Sequence, residues 1–72
     1  MKGNVVLADS RGAVVTIQLI TAMVAYASDE AHFKEMCEGI WPRCSFYRGG
    51  THLRVLVSGD EGNGPSVYIN LV

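Results

Sequence analysis

The stretch RCSFYRGGTHLRVLVS, residues 43–58, decides the fold of this 72-residue chain. Two runs of alternating side chains flank Gly49 and Gly50. Adjacent glycines between such runs are typical of a two-residue hairpin turn with positive φ at both positions. We therefore predict a β-hairpin with strands over Arg43 to Arg48 and Thr51 to Ser58.

A turn at this place also sets the register of the hairpin. It pairs Arg48 with Thr51, and the pairs continue outward through Tyr47 with His52 and Phe46 with Leu53. Strand alternation then divides the side chains between two faces. The apolar face, expected to lie against a helix, holds Cys44, Phe46, Leu53, Val55 and Val57. The opposite face holds Arg43, Tyr47, Ser45, His52 and Arg54.

A third strand is predicted over Ser66 to Val72, because this run alternates after the polar, glycine-rich loop from Gly59 to Pro65. Its apolar residues Val67, Ile69 and Leu71 are expected to face the helix. Tyr68 and Asn70 then join the face that carries Tyr47 and Arg54.

Upstream of the hairpin, the apolar spacing predicts a helix from Thr21 to Ile40, ended by Gly39 and Pro42, with Tyr26 and Trp41 in the core. Ser28, followed by Asp29 and Glu30, is the best cap if the helix begins later. Asn4 to Ala8 is a predicted strand. The β-branched run Ala13 to Ile20 favours a second strand of an N-terminal hairpin, with a longer helix as the alternative.

These elements predict one small α+β domain over residues 1–72. It has an N-terminal strand or hairpin and one amphipathic helix packed on a C-terminal three-stranded antiparallel meander. At 72 residues, the chain is too short for a second domain.

The charge distribution predicts where a partner would bind. The net charge is −1, yet the segment 39–59 holds three arginines and no acidic residue.

The uncharged segment 12–28 is too short for a transmembrane helix. The Ala25-Tyr26-Ala27 pattern could be a signal-peptide cleavage site, but the segment before it contains Asp9 and does not resemble a signal peptide. We therefore expect a cytoplasmic protein that does not interact with membranes.

Few residues support catalysis or metal binding. His32, Cys37, Cys44 and His52 lack the paired spacing of zinc ligands, so we expect no metal and no cofactor. The two cysteines are expected as reduced thiols, with a single disulfide as the alternative. His52 is the one candidate general base; with Tyr47 and Arg54 it could cleave RNA, which makes a small ribonuclease the third hypothesis for function.

The first hypothesis is a non-enzymatic protein-binding module, a regulator or inhibitor that occupies an acidic surface of a larger protein. Such small plain domains are typical of phages and mobile elements. The candidate binding residues are Arg43, Tyr47, Arg48, His52, Arg54, Tyr68 and Asn70. RNA or DNA binding by the same basic, aromatic face is the second hypothesis. The high apolar content also predicts self-association as a homodimer.

Overall fold

The computed structural model describes residues 1–8, 14–58 and 64–71. Their secondary structure elements, in chain order, are β1 (Gly3–Ala8), α1 (Val14–Tyr26), α2 (Glu30–Ile40), β2 (Ser45–Arg48), β3 (His52–Leu56) and β4 (Ser66–Leu71). The predicted α+β class and the N-terminal and C-terminal strands are confirmed. Strand β2 is shorter than predicted, since Arg43 lies in a turn before it.

One antiparallel sheet contains all four strands in the order β1-β4-β3-β2. The predicted meander β2-β3-β4 is therefore present, and β1 extends it by pairing with β4, so that the first and last strands of the domain are neighbours. Both helices pack on one face, where their buried residues form a single core with strands β3 and β4. We call this the inner face and the opposite one the outer face.

The preferred N-terminal hairpin is wrong, because residues 14–20 belong to helix α1. Their β-branched side chains favour a strand, but Ile20, Met23, Val24 and Ala27 recur at helical spacing and are all buried in the core. Burial of this set against the sheet outweighs the intrinsic strand preference, which is a weak term.

The single helix predicted over 21–40 is also wrong, because helix α1 ends at Tyr26 and a second helix begins at Glu30. Asp29 is the N-cap of α2: its backbone is extended, and its carboxylate accepts a hydrogen bond from the His32 backbone N–H at 2.8 Å. The imidazole of His32 lies over the segment between the two helices, where its Nδ1 accepts a hydrogen bond from the backbone N–H of Ser28 at 3.0 Å. A local capping network thus starts the second helix, one residue after the predicted cap.

The hairpin register differs from the prediction by two residues. The observed pairs are Arg48 with Leu53 and Tyr47 with Arg54, and Gly49 donates its N–H to the His52 carbonyl at 2.8 Å. The turn is therefore Gly50-Thr51 rather than Gly49-Gly50, and neither glycine has a positive φ. Because side chains alternate with a period of two, a shift of two residues leaves every side chain on its predicted face.

The core confirms the predicted inner face. Leu53, Val55, Val67 and Ile69 are buried, and Cys44, Phe46, Val57 and Leu71 are partly buried against them. On the helix side, Phe33 is fully buried and meets Phe46 edge-on, with ring centroids 6.4 Å apart. Trp41 packs partly against the core, as predicted. Tyr26 does not, since it is 83% exposed on α1.

Two predicted loops fall outside the described residues, namely the turn at 9–12 and most of the loop 59–65. Among the helices of the described ranges, none is long and apolar enough to cross a membrane.

Candidate functional site

The outer face of the sheet carries two adjacent rows of side chains that run across the strands. The first row is Tyr47, Arg54, Tyr68 and Leu7, which are consecutive cross-strand partners from β2 to β1. The second row contains His52, Asn70 and Asn4. We call the six residues Leu7, Tyr47, His52, Arg54, Tyr68 and Asn70 the outer patch. With strands ~4.8 Å apart, the first row crosses four strands and is roughly 14 Å long, and the second crosses three strands and is roughly 10 Å long.

Arg54 lies at the centre of the outer patch between two tyrosine rings. Its guanidinium carbon is 5.6 Å from the centroid of the Tyr47 ring and 5.5 Å from that of Tyr68. Its Nε also donates to the Ser66 hydroxyl at 3.3 Å. Cation–π contact on both sides, with a hydrogen bond below, holds a side chain that is otherwise flexible in one position.

A shallow groove of about 340 Å³ lies over this cluster. Its described lining consists of Tyr47, Gly49, His52, Arg54 and Tyr68, and no acidic side chain is among these residues. Tyr47 is 52% exposed and His52 is also exposed, so both rings present surface to a ligand. The groove is open, and it suits a protruding side chain of a partner better than an enclosed small molecule.

Leu7 was absent from the predicted site because a β-bulge places it there. The register between β1 and β4 shifts between Val5 and Leu7, and Leu7 therefore pairs with Tyr68. Strict alternation would have put Leu7 on the inner face with Val5; the extra residue Val6 reverses it. Leu7 is 60% exposed, and the apolar run of β1 contains no alternation from which the bulge could be predicted.

The outer face is accessible to solvent on one side of the first row, the side that carries the second row. On the other side of the first row, Ser66 and its cross-strand partner Leu56 are buried although alternation directs them outward. The accessible surface is therefore the part of the face formed by the outer patch, toward the Gly50-Thr51 turn.

The predicted cluster of three arginines is dispersed. Arg43 lies in the turn before β2 and lines a separate groove with Trp41 and Pro65. Arg48 is on the helix side of the sheet, where its Nε donates to a Glu30 carboxylate oxygen at 3.2 Å and its Nη1 donates to the carbonyls of Gly49 and Gly50. Only Arg54 remains in the outer patch, so this surface is more aromatic than basic.

The other predicted binding residues do come together. Tyr47, His52 and Tyr68 line the same groove, and Asn70 is the cross-strand partner of His52. His52 is within hydrogen-bond distance of one neighbouring side chain, with the Thr51 hydroxyl oxygen 3.3 Å from its Nδ1. A catalytic base needs an orienting partner and a second proton-transfer group, and the described residues supply His52 with the Thr51 hydroxyl alone.

The two cysteines are free thiols. Cys37 is fully buried, and burial, followed by the nearby Cys44 and Glu38, raises the pKa of its thiol to about 12. Burial also raises the pKa of Cys44. These raised pKa values are typical of inert structural cysteines rather than of nucleophiles.

Within residues 1–8, 14–58 and 64–71, no group of three or more histidine, cysteine or acidic side chains is arranged to hold a metal ion.

No protein-family model, no curated protein and no solved structure matches the chain.

Proposed function

We propose that this protein is a non-enzymatic binding module that occupies the surface of a larger protein through its outer patch. The observation that carries the proposal is the row Tyr47, Arg54 and Tyr68, in which an arginine is stacked between two tyrosines on a sheet face that neither helix covers. Such a protein would act as a regulator or inhibitor by blocking the surface that it binds.

The residue types of the outer patch support a protein partner. Tyrosine and arginine are enriched among interface residues that dominate binding energy, since they bring large contact area together with directional hydrogen bonds. Leu7 adds an apolar side chain to one end of the row, while His52 and Asn70 supply polar groups beside it. An apolar and aromatic centre with polar neighbours is the usual composition of a protein interface.

The pre-positioning of Arg54 supports the same conclusion. A free arginine loses rotamer freedom when it binds, and this loss weakens the complex. Here the two rings and Ser66 already restrict the side chain in the unbound protein. Less entropy is then lost on binding, which makes the residue effective at the centre of an interface.

Nucleic-acid binding receives less support from this geometry than from the sequence pattern. Affinity for RNA or DNA comes mainly from several lysines or arginines that contact phosphates. Arg43 and Arg48 lie away from the outer patch, so Arg54 is the one arginine that the described residues place on it, in a chain with a net charge of −1. The aromatic rings could still stack on bases, so the experiment below includes this outcome.

Site-specific photocrosslinking tests the proposal. A photoreactive phenylalanine analogue replaces Tyr47 in one variant and Glu35, an exposed residue on helix α2, in the matched control. Both are expressed in the cells from which the sequence comes. We expect one protein to crosslink through position 47 and not through position 35. The purified partner is then titrated with wild-type protein and with Tyr47→Ala and Tyr68→Ala.

Each alanine variant is expected to weaken binding by at least about tenfold, the effect of losing a central aromatic residue from an interface. Arg43→Ala is the control for charge, since Arg43 lies in another groove. Unchanged affinity in both tyrosine variants, or equal loss in Arg43→Ala, would show that the outer patch is not the binding site. RNA crosslinked through position 47, with affinity that falls steeply with salt, would establish nucleic-acid binding instead. RNA cleavage abolished by His52→Ala would establish the ribonuclease.

A further inference from the structure

Helix α1 is apolar on two sides. Its thirteen residues, Val14–Tyr26, contain no charged side chain, and its buried side faces the sheet through Ile20, Met23 and Val24. A helix that packs on one side only normally carries polar residues on the other, whereas a helix that is apolar all round is normally buried all round. In α1, the side that faces away from the sheet is exposed and still largely apolar.

The exposed side of α1 contains a regular stripe of four residues, Val15, Leu19, Ala22 and Tyr26. Their spacing of four, three and four residues places them along one line of the helix. Val15 is 71% exposed, Leu19 is 36% exposed and Tyr26 is 83% exposed. This is the spacing by which one helix packs lengthwise against another.

We propose that the α1 stripe, defined as Val15, Leu19, Ala22 and Tyr26, is the interface at which two copies of this chain form an antiparallel dimer. This proposal is independent of the proposed function, because α1 packs on the inner face and its stripe points away from the sheet, whereas the outer patch is on the opposite face.

The order of residue sizes in the stripe favours a second copy, packed antiparallel. In such a pair, Leu19 of each copy faces Ala22 of the other, and Tyr26 faces Val15. A large side chain therefore meets a smaller one at every position, which allows close packing. A parallel pair would place tyrosine against tyrosine and alanine against alanine. The antiparallel arrangement also sets the positive N-terminal end of each helix dipole beside the negative end of the other.

The absence of charge on α1 points to the same occupant. In a two-fold interface each patch meets its own copy, so a charged side chain would require a complementary charge within that patch. Residues 14–26 contain no such side chain, and two stripes can meet without like-charge repulsion. A membrane surface fits less well, since helices that lie on membranes usually carry lysine and arginine on their polar side.

The area of this surface is adequate for a reversible dimer. From their exposed fractions, Val14, Val15, Leu19 and Tyr26 present on the order of 350 Å² of apolar surface. The exposed residues between them, Gln18, Thr21, Ala22 and Ala25, raise this to roughly 600 Å² per copy, the lower end of specific interfaces. We therefore expect a dimer with a Kd on the order of 10 μM.

Sedimentation equilibrium of the full chain over a range of concentrations tests the proposal. The wild-type mass should rise from one chain toward two as concentration passes the expected Kd. Ala22→Glu places a charge in the stripe and should raise the Kd at least tenfold. Ala31→Glu is the matched control, because it makes the same substitution at an exposed alanine on helix α2, outside the stripe. It should leave the Kd within about threefold of the wild-type value.

A second experiment tests the antiparallel register. Leu19→Lys alone should also be monomeric, whereas a mixture of Leu19→Lys and Ala22→Glu should form a heterodimer, since position 19 of one copy faces position 22 of the other. Circular dichroism confirms that each variant is folded. The proposal is overturned by any of three results: a wild-type protein that is monomeric at about fifty times the expected Kd, equal disruption by Ala31→Glu and Ala22→Glu, or a dimer that is lost in Tyr47→Ala and retained in Ala22→Glu.

Discussion

Glycine-to-alanine substitutions at Gly49 and Gly50 test the hairpin turn that positions the outer patch. At Gly50, φ is not positive, and an added Cβ would find no atom within 4 Å. Alanine there fits the native backbone and restricts the unfolded chain, so we expect Gly50→Ala to stabilise the protein by about 0.4–1 kcal/mol. At Gly49 the nearest atom to an added Cβ would be the His52 carbonyl oxygen at 3.7 Å, an ordinary contact, and we expect a smaller effect of the same sign.

Gly64 is the contrasting position. Its φ is +83°, and an added Cβ would lie 3.3 Å from Cβ of Ser58. A left-handed backbone costs a residue with a side chain about 1–2 kcal/mol, which outweighs the gain from restricting the unfolded chain. With the close contact to Ser58 added, Gly64→Ala should lower the free energy of unfolding by about 1 kcal/mol.

Urea denaturation followed by circular dichroism measures these differences, with thermal melts as a second readout. In a domain of this size, about 1 kcal/mol shifts the melting temperature by roughly 4–8 °C. Gly50→Ala and Gly64→Ala should therefore shift it in opposite directions. Destabilisation by Gly50→Ala of more than about 1 kcal/mol would show a left-handed Gly50, as the Gly49-Gly50 turn requires, and the observed register would be refuted.

Three further substitutions test other parts of the structure. Asp29→Ala removes the cap of α2 and should lower the free energy of unfolding by about 1 kcal/mol, whereas Asp29→Asn should cost little; equal losses in urea titrations would argue against the cap. The pKa of Cys37 is raised from 9.0 to about 12 in the folded protein, so its contribution to stability is present below pH 9 and is lost as pH rises toward 12, by at most about 1.4 kcal/mol per pH unit. Cys37→Ala should lack this slope in denaturation at pH 8 to 11. Phe33→Ala removes the largest fully buried side chain and should cost about 3–5 kcal/mol, against under about 1 kcal/mol for Lys34→Ala beside it.

The outer patch could be predicted in large part because strand alternation tolerates an error of register. The predicted turn was displaced by one residue, which shifted all pairs by two, yet Tyr47, His52 and Arg54 remained on one face. Alternation predicts the face on which a side chain lies, but it does not predict which residues of other elements that side chain contacts. Arg48 is on the side of the sheet that alternation assigns to it, and its contact with Glu30 depends on where α2 packs.

Two other errors have a tertiary cause. The bulge that turns Leu7 outward arises where β1 pairs with β4, and no local pattern in β1 reports on a partner more than sixty residues away. The strand predicted for residues 13–20 came from their β-branched composition, and the helix that forms instead depends on burying Ile20 and Met23 beneath the sheet. Long-range packing decided both cases, and packing is the information that a single sequence carries least directly.

The wrong prediction for residues 13–20 and the proposed dimer both follow from the lack of charged residues in helix α1. An uncharged segment has no polar side, so its sequence gives little helical amphipathicity from which the buried face could be predicted. The same lack of polar residues leaves the stripe exposed after the core has formed, since a chain of 72 residues has no further element to cover it within the described structure. Solubility alone would favour charged residues on that side, because they would cost the core nothing. Their absence over thirteen residues is accounted for if α1 has two packing surfaces, one against its own sheet and one against a second copy. A dimer formed in this way would direct its two outer patches away from each other, and each could then bind a partner without hindrance from the other.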